Sequence, residues 1–172
     1  MKKRAYTICA FLLGLGLAMR AEADEGSLRF RSGISAGGGI ETIAGNSFAM
    51  GGIDGRLGAQ LSEHMGLYVA PHLSYGSGSI GGVSGSTGTF AFTALADYTF
   101  IERLFVAGGG GYGVLNNPSG PVLHFRLGGY PLLSEETDGQ RKGLVVALDS
   151  RTFFASGLTV EHIMVSLGYE KF

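Results

Sequence analysis

His72-Leu73-Ser74 places an imidazole and a hydroxyl two residues apart. On a strand that spacing puts both on one face, with Cα atoms about 7 Å apart. A base beside a nucleophile is the beginning of acyl-transfer machinery, which also needs an acid to orient the base. No acid closely follows Ser74. His72 and Ser74 are therefore the one catalytic candidate, set against a reading in which both belong to a hydrogen-bond network. The four histidines, His64, His72, His124 and His162, show no metal-ligand spacing, so no metal and no cofactor are expected. The run Ala107-Gly-Gly-Gly-Gly-Tyr112 lacks the following helix that a phosphate loop requires. Asp149-Ser150-Arg151 reads as a salt bridge rather than a catalytic pair.

A larger constellation is electrostatic. The acids Asp54, Asp97, Asp149 and Glu170, the arginines Arg29, Arg31, Arg56, Arg126 and Arg151, and His72, His124 and His162 all share a polar face. Four acids face five arginines. Burying charge is costly unless it is paired and hydrogen-bonded, so near-balance is what a sealed interior requires. Arginine suits that role because its planar fork binds two oxygens at once. After the first 23 residues the chain has only Lys142 and Lys171, and neither is expected in mid-lumen.

Strands must position these groups. Period-two runs bounded by turn residues predict eight: 28–40, 48–61, 66–75, 89–100, 104–115, 121–132, 143–154 and 158–172. Each is long enough to cross a bilayer at the usual tilt, which takes about 9–11 residues. In the fourth run Phe90, Phe92, Ala94, Ala96, Tyr98 and Phe100 share one face; Thr89, Ala91, Thr93, Leu95, Asp97 and Thr99 share the other. Aromatics near strand ends (Phe48, Tyr75, Phe90, Tyr98, Phe100, Phe154, Tyr169) fit interface girdles. The connections at 62–65 and 101–103 are short and are placed in the periplasm. The Gly/Ser-rich segment 76–88 and the turn at 116–120 are placed outside. Segment 133–142 would be a ten-residue periplasmic turn, long for its side, and its side is left open. Mid-strand glycines such as Gly108 to Gly111 leave space for long side chains and permit strong coiling.

Residues 1–23 read as an export signal: Lys2, Lys3 and Arg4, an uncharged apolar run from Ala5 to Met19, then the cleavage pattern Ala21-Glu22-Ala23. Its apolar core is too short for an anchor helix, which needs about 20 residues. Cleavage moves the net charge from −1 to −4 and removes Cys9, the single cysteine. A mildly acidic chain without a basic stripe excludes nucleic acid as a partner. Absence of thiols excludes cysteine chemistry. Later residues contain no apolar run long enough for a transmembrane helix.

The signal, the eight amphipathic runs and the terminal strand ending at Phe172 together resemble the small eight-stranded outer-membrane β-barrels of the OmpA/OmpX type. The resemblance covers residues 27–172. It implies an all-β, eight-stranded antiparallel up-and-down transmembrane β-barrel over 24–172, located in the bacterial outer membrane. It further implies insertion by the outer-membrane assembly machinery and contact with outer-membrane lipid and lipopolysaccharide. In that family an aromatic two residues before the final Phe shares its phase. Here Tyr169 lies three before, so strict alternation turns Phe172 toward the lumen. Eight strands leave an interior filled by side chains, which argues against a general pore. The leading expectation is a non-enzymatic structural or surface-interaction barrel. The alternatives are a lipid A or phospholipid acyl-modifying enzyme using His72 and Ser74, and a soluble lipocalin-like ligand-binding barrel.

Overall fold

The computed structural model describes residues 29–80, 83–101, 103–116, 118–135, 140–155 and 157–172. The expected export signal and Leu28 lie outside them. The described residues form eight strands: β1 (Arg29–Ile43), β2 (Asn46–Gln60), β3 (Met65–Ile80), β4 (Val83–Phe100), β5 (Leu104–Leu115), β6 (Ser119–Glu135), β7 (Arg141–Ala155) and β8 (Leu158–Lys171). Each pairs antiparallel with its chain neighbour, and β1 pairs with β8 from Ser32↔Lys171 to Ile43↔Val160, closing the ring. Closure leaves no edge strand along the wall, so its backbone polar groups are satisfied without water.

The alternation within each strand sorts side chains by face, and the sorting is inverted relative to a soluble barrel. On β8, Ile163, Val165, Leu167 and Tyr169 are exposed on the outer wall, while His162, Met164, Ser166 and Glu170 are buried inside. On β1, Ile34 is 64% exposed and Arg31 0%. A lipocalin-like soluble barrel would carry its apolar set inward; this chain carries it outward.

Two expected connections are shorter than the sequence suggested. Segment 76–88 is not a loop: β3 and β4 continue pairing through Ser77↔Ser86 to Ile80↔Val83. The apolar outer face of β3 runs from Leu67 to Tyr75 and gives way to Ser77 and Ser79. That of β4 ends at Phe90 and gives way to Gly88, Ser86 and Ser84. Hydrophobic periodicity therefore marked the lipid-facing stretch rather than the strand, and the ribbon beyond it stands clear of the wall. Segment 133–142 likewise pairs as Leu133↔Gly143, Ser134↔Lys142 and Glu135↔Arg141. This pairing ends at Glu135↔Arg141, at the end of the barrel where Arg29 and Phe172 sit.

Two local features shape the wall. Ala44 and Gly45 both have positive φ (49° and 81°) between the paired Ile43 and Asn46, the geometry of a two-residue hairpin turn matched to strand twist. A register shift between Gly129 and Leu132 in β6 surrounds Pro131, which has no N–H to give a ladder. It leaves Tyr130 buried and pointing inward.

Candidate functional site: a sealed polar interior

The interior divides into layers. At the end of the barrel where Arg29 and Phe172 lie, Phe105, Tyr130, Val145, Ala147 and Phe172 form an apolar cluster. Phe172 is buried, as its phase predicted. Its ring lies 5.0 Å from that of Tyr130, and the Arg31 guanidinium carbon lies 5.0 Å from its centroid. At the opposite, distal end Ala91, Leu115, Val122, Phe153, Ala155 and Val160 form a second apolar cluster, with Ile43 against it. Charged groups occupy the space between these two plugs.

The lower charged layer centres on Glu170, fully buried. Its Oε1 accepts from Arg126 at 2.7 Å and forms an ion pair with Arg56 Nε at 2.6 Å. Its Oε2 accepts from Arg31 at 2.9 Å and from the Tyr130 hydroxyl at 2.7 Å. Arg31 also pairs with Asp97 at 2.6 Å, and Arg56 donates to Ser35 Oγ at 3.0 Å. Gly33 makes room for this layer: a Cβ there would meet Glu170 Cγ at 2.6 Å. Here a glycine leaves space for charge.

The upper layer joins Asp54, Asp149, Arg151, His72 and His124. Arg151 donates to Asp54, and His72 Nδ1 lies 2.9 Å from the same carboxylate oxygen. Asp149 accepts from Ser166 Oγ at 2.7 Å, contacts His124 Nε2 at 3.2 Å, and lies 3.5 Å from Arg126, which links the two layers. Thr93 Oγ1 bonds the other nitrogen of His124 at 2.9 Å. Above them His162 Nε2 faces Glu41 Oε1 at 3.4 Å, with the Phe153 ring 4.7 Å from the His162 ring.

Eleven of the twelve expected lumen residues lie in these buried layers: Arg31, Asp54, Arg56, His72, Asp97, His124, Arg126, Asp149, Arg151, His162 and Glu170. Arg29 does not. It is half-buried in the first described position of β1, opposite Gln60 at the rim. Glu41 was missed although it shares the phase of Arg31; the expected strand stopped at Ile40, three residues before β1 ends. The balance is thus five buried acids against four buried arginines, with three histidines beside them. Tyr68 and Tyr130 were missed too. Their phase with His72 and Arg126 was the available signal.

The catalytic candidate is only half assembled. Asp54 supplies the acid behind His72, yet among the described residues no hydrogen bond joins His72 to Ser74. His72 itself is 1% exposed and sits below the distal plug. Among the described residues no group of three His, Cys, Asp or Glu side chains is arranged to hold a metal.

A closed ring of eight antiparallel strands with an apolar outer wall and a charged, plugged interior defines a small transmembrane β-barrel. Solved structures share the fold. Neisserial surface protein A matches with a TM-score of 0.64 at 11% identity, over 84% of this chain and 98% of that one. The attachment invasion locus protein Ail of Yersinia pestis, solved with the heparin analogue sucrose octasulfate, matches with a TM-score of 0.60 at 13% identity, over 83% and 99%. No protein-family model matches the sequence, and no curated protein does.

Proposed function

We propose that the chain is a non-enzymatic bacterial outer-membrane barrel with a structural or surface-contact role. Residues 1–23 direct export, the assembly machinery inserts residues 24–172, and the wall lies against outer-membrane lipid and lipopolysaccharide. One observation carries this reading: the large apolar side chains face outward while eleven expected charged and histidine groups are buried between two apolar plugs. Such a wall is stable only against hydrocarbon, and such an interior conducts nothing.

Surface contact falls to the distal end, and its chemistry is specific. Of the nine Lys and Arg side chains among the described residues, Arg31, Arg56, Arg126 and Arg151 are buried. Arg29, Arg103, Arg141, Lys142 and Lys171 lie at the end of the barrel where Phe172 sits. Among the described residues the distal rim presents Ser, Gly, Thr and Asn together with the exposed Phe154 and Leu158, and Glu161 is its exposed charge. A polyanion of the kind seen with Ail has no cation to pair with there. The β3–β4 ribbon suits a neutral partner that bonds to backbone and hydroxyl groups.

The test is reconstitution in planar bilayers together with membrane fractionation. The expected result is a protein in the outer-membrane fraction, with different gel mobility before and after boiling and no stepwise conductance. Defined conductance steps, or recovery in the soluble fraction, would overturn the proposal.

A further inference from the structure

Five buried acids face four buried arginines, and the surplus acid is Glu41. Asp97 pairs with Arg31, Asp54 with Arg151, and Asp149 with Arg126 and Arg151. Glu170 pairs with Arg31, Arg56 and Arg126. Those four acids and four arginines cancel. Glu41 is equally buried, at 1% exposure. Among the described residues its ionisable partner is His162, with Nε2 3.4 Å from Oε1.

Glu41 and His162 are also direct partners across the β1–β8 seam that closes the ring. On the outer wall the neighbouring row on one side is Ile40 with Ile163, and on the other Thr42 with Glu161. The pair therefore sits at the distal border of the apolar wall, beside the plug that holds Phe153, Val160 and Ile43. The carboxylate reaches inward as far as β3, where a Cβ on Gly76 would collide with Oε2. The other charged or titratable groups facing His162 are committed elsewhere. Arg151, its partner on β7, donates to Asp54 on β2. The His72 ring on β3 lies 6.2 Å away and contacts the same Asp54. From β4, β5 and β6 the plug receives the apolar Ala91, Leu115 and Val122. Glu161 points outward.

With all histidines neutral, this end of the interior would carry one uncompensated buried negative charge, which is costly. A single proton removes it, whether the carboxylate or the imidazole carries it. We propose that Glu41 and His162 together form a proton-binding site that is filled in the folded barrel at neutral pH and stabilises its distal end. The unfolded chain holds no such proton above about pH 7, because a free carboxyl titrates near about 4.3 and a free imidazole near about 6.5. Below about pH 6.5 the stabilisation is fully present. Above it the folding equilibrium constant falls about tenfold per pH unit, until the folded barrel itself gives up the proton. The proposal goes beyond the outer-membrane reading and rests on the packing of the interior alone.

The experiment is urea unfolding in phospholipid vesicles between about pH 7 and about pH 8.5, with proton release on unfolding read by an indicator dye in weak buffer. The wild-type equilibrium constant should fall about tenfold per pH unit, and unfolding near about pH 8 should release about one proton per chain. Glu41→Gln removes the surplus charge and should flatten the pH dependence and abolish the release. His162→Gln should cost about tenfold or more in the equilibrium constant near about pH 8, and far less when Glu41→Gln is present as well. His64→Gln, exposed at the end where Phe172 sits, should keep the wild-type slope. A flat wild-type profile, a slope that survives Glu41→Gln, or equal costs of His162→Gln in both backgrounds would overturn the proposal. Should Glu41→Gln fail to fold, the wild-type proton count decides alone: about one supports the site and none removes it. Gel mobility before and after boiling is measured on the same samples. A missing mobility shift sinks the barrel reading itself; a normal shift without proton release sinks only the proton site.

Discussion

Glu170 is the group on which the lower half of the interior depends, and neutralising it is a quantitative test. Its two oxygens hold Arg31, Arg56, Arg126 and the Tyr130 hydroxyl, all within 2.9 Å. In Glu170→Gln one oxygen becomes an amide nitrogen, which must point donors at donors. Arg31 keeps Asp97 and Arg126 keeps Asp149, but Arg56 is left with Ser35. Hydrogen bonds to a charged group contribute about 1.5–3 kcal/mol each. They share one carboxylate and do not add, so the fitting estimate is that for removing one partner of a buried pair, about 3–5 kcal/mol. Urea unfolding in phospholipid vesicles measures it, read by far-ultraviolet circular dichroism and by the fraction of fast-migrating unboiled protein; the chain has no tryptophan to report fluorescence. Glu161→Gln, on the exposed face of β8, serves as control and should stay within about 0.5 kcal/mol. A loss below about 1 kcal/mol for Glu170→Gln would mean that water or rearrangement screens this carboxylate, and the packed interior described above would be wrong.

Three further outcomes are expected. Phe172→Ala removes the ring packed on Tyr130 and Arg31 and should cost about 3 kcal/mol in the same urea titration. Gly109→Val should sharply reduce folding yield in vesicles, because a Cβ there collides with the backbone carbonyl of Ala94 on β4. Gly85→Ala in the ribbon, where a Cβ has open space, should fold normally. His72→Ala combined with Ser74→Ala should leave the lipid A of the host unchanged by mass spectrometry; a changed acylation pattern would restore the enzymatic alternative.

Legibility of the sequence followed the strength of the alternation. Leu104–Leu115 emerges as β5 with the bounds read from sequence, because Phe105, Val106, Ala107 and the distal Tyr112 to Leu115 flank its glycines with clear phase. The ribbon at 76–88 was hidden because Ser and Gly carry no apolar contrast, although backbone pairing continues there. Glu41 was lost at a turn: Ala44 and Gly45 do not resemble the usual Asn-Gly or Asp-Gly hairpin signal, so the strand was stopped early. Tyr130 shares the inward phase of Arg126, but an uncharged ring does not by itself mark a polar interior. Phe172 was legible because counting by twos from Tyr169 left it no outward position. Phase could assign Arg29 to a face, but not to a depth along the barrel.

The direction in which each face points is best measured by cysteine scanning of β8. Without residues 1–23 the chain has no native thiol, so single cysteines from position 162 to 167 can be spin-labelled in vesicles and probed with oxygen and a water-soluble relaxant. Oxygen accessibility should peak at 163, 165 and 167 and fall at 162, 164 and 166, with the water-soluble reagent excluded from both sets. Peaks at 162, 164 and 166, or water-soluble reagent reaching 163, 165 and 167, would show that the apolar wall does not meet lipid.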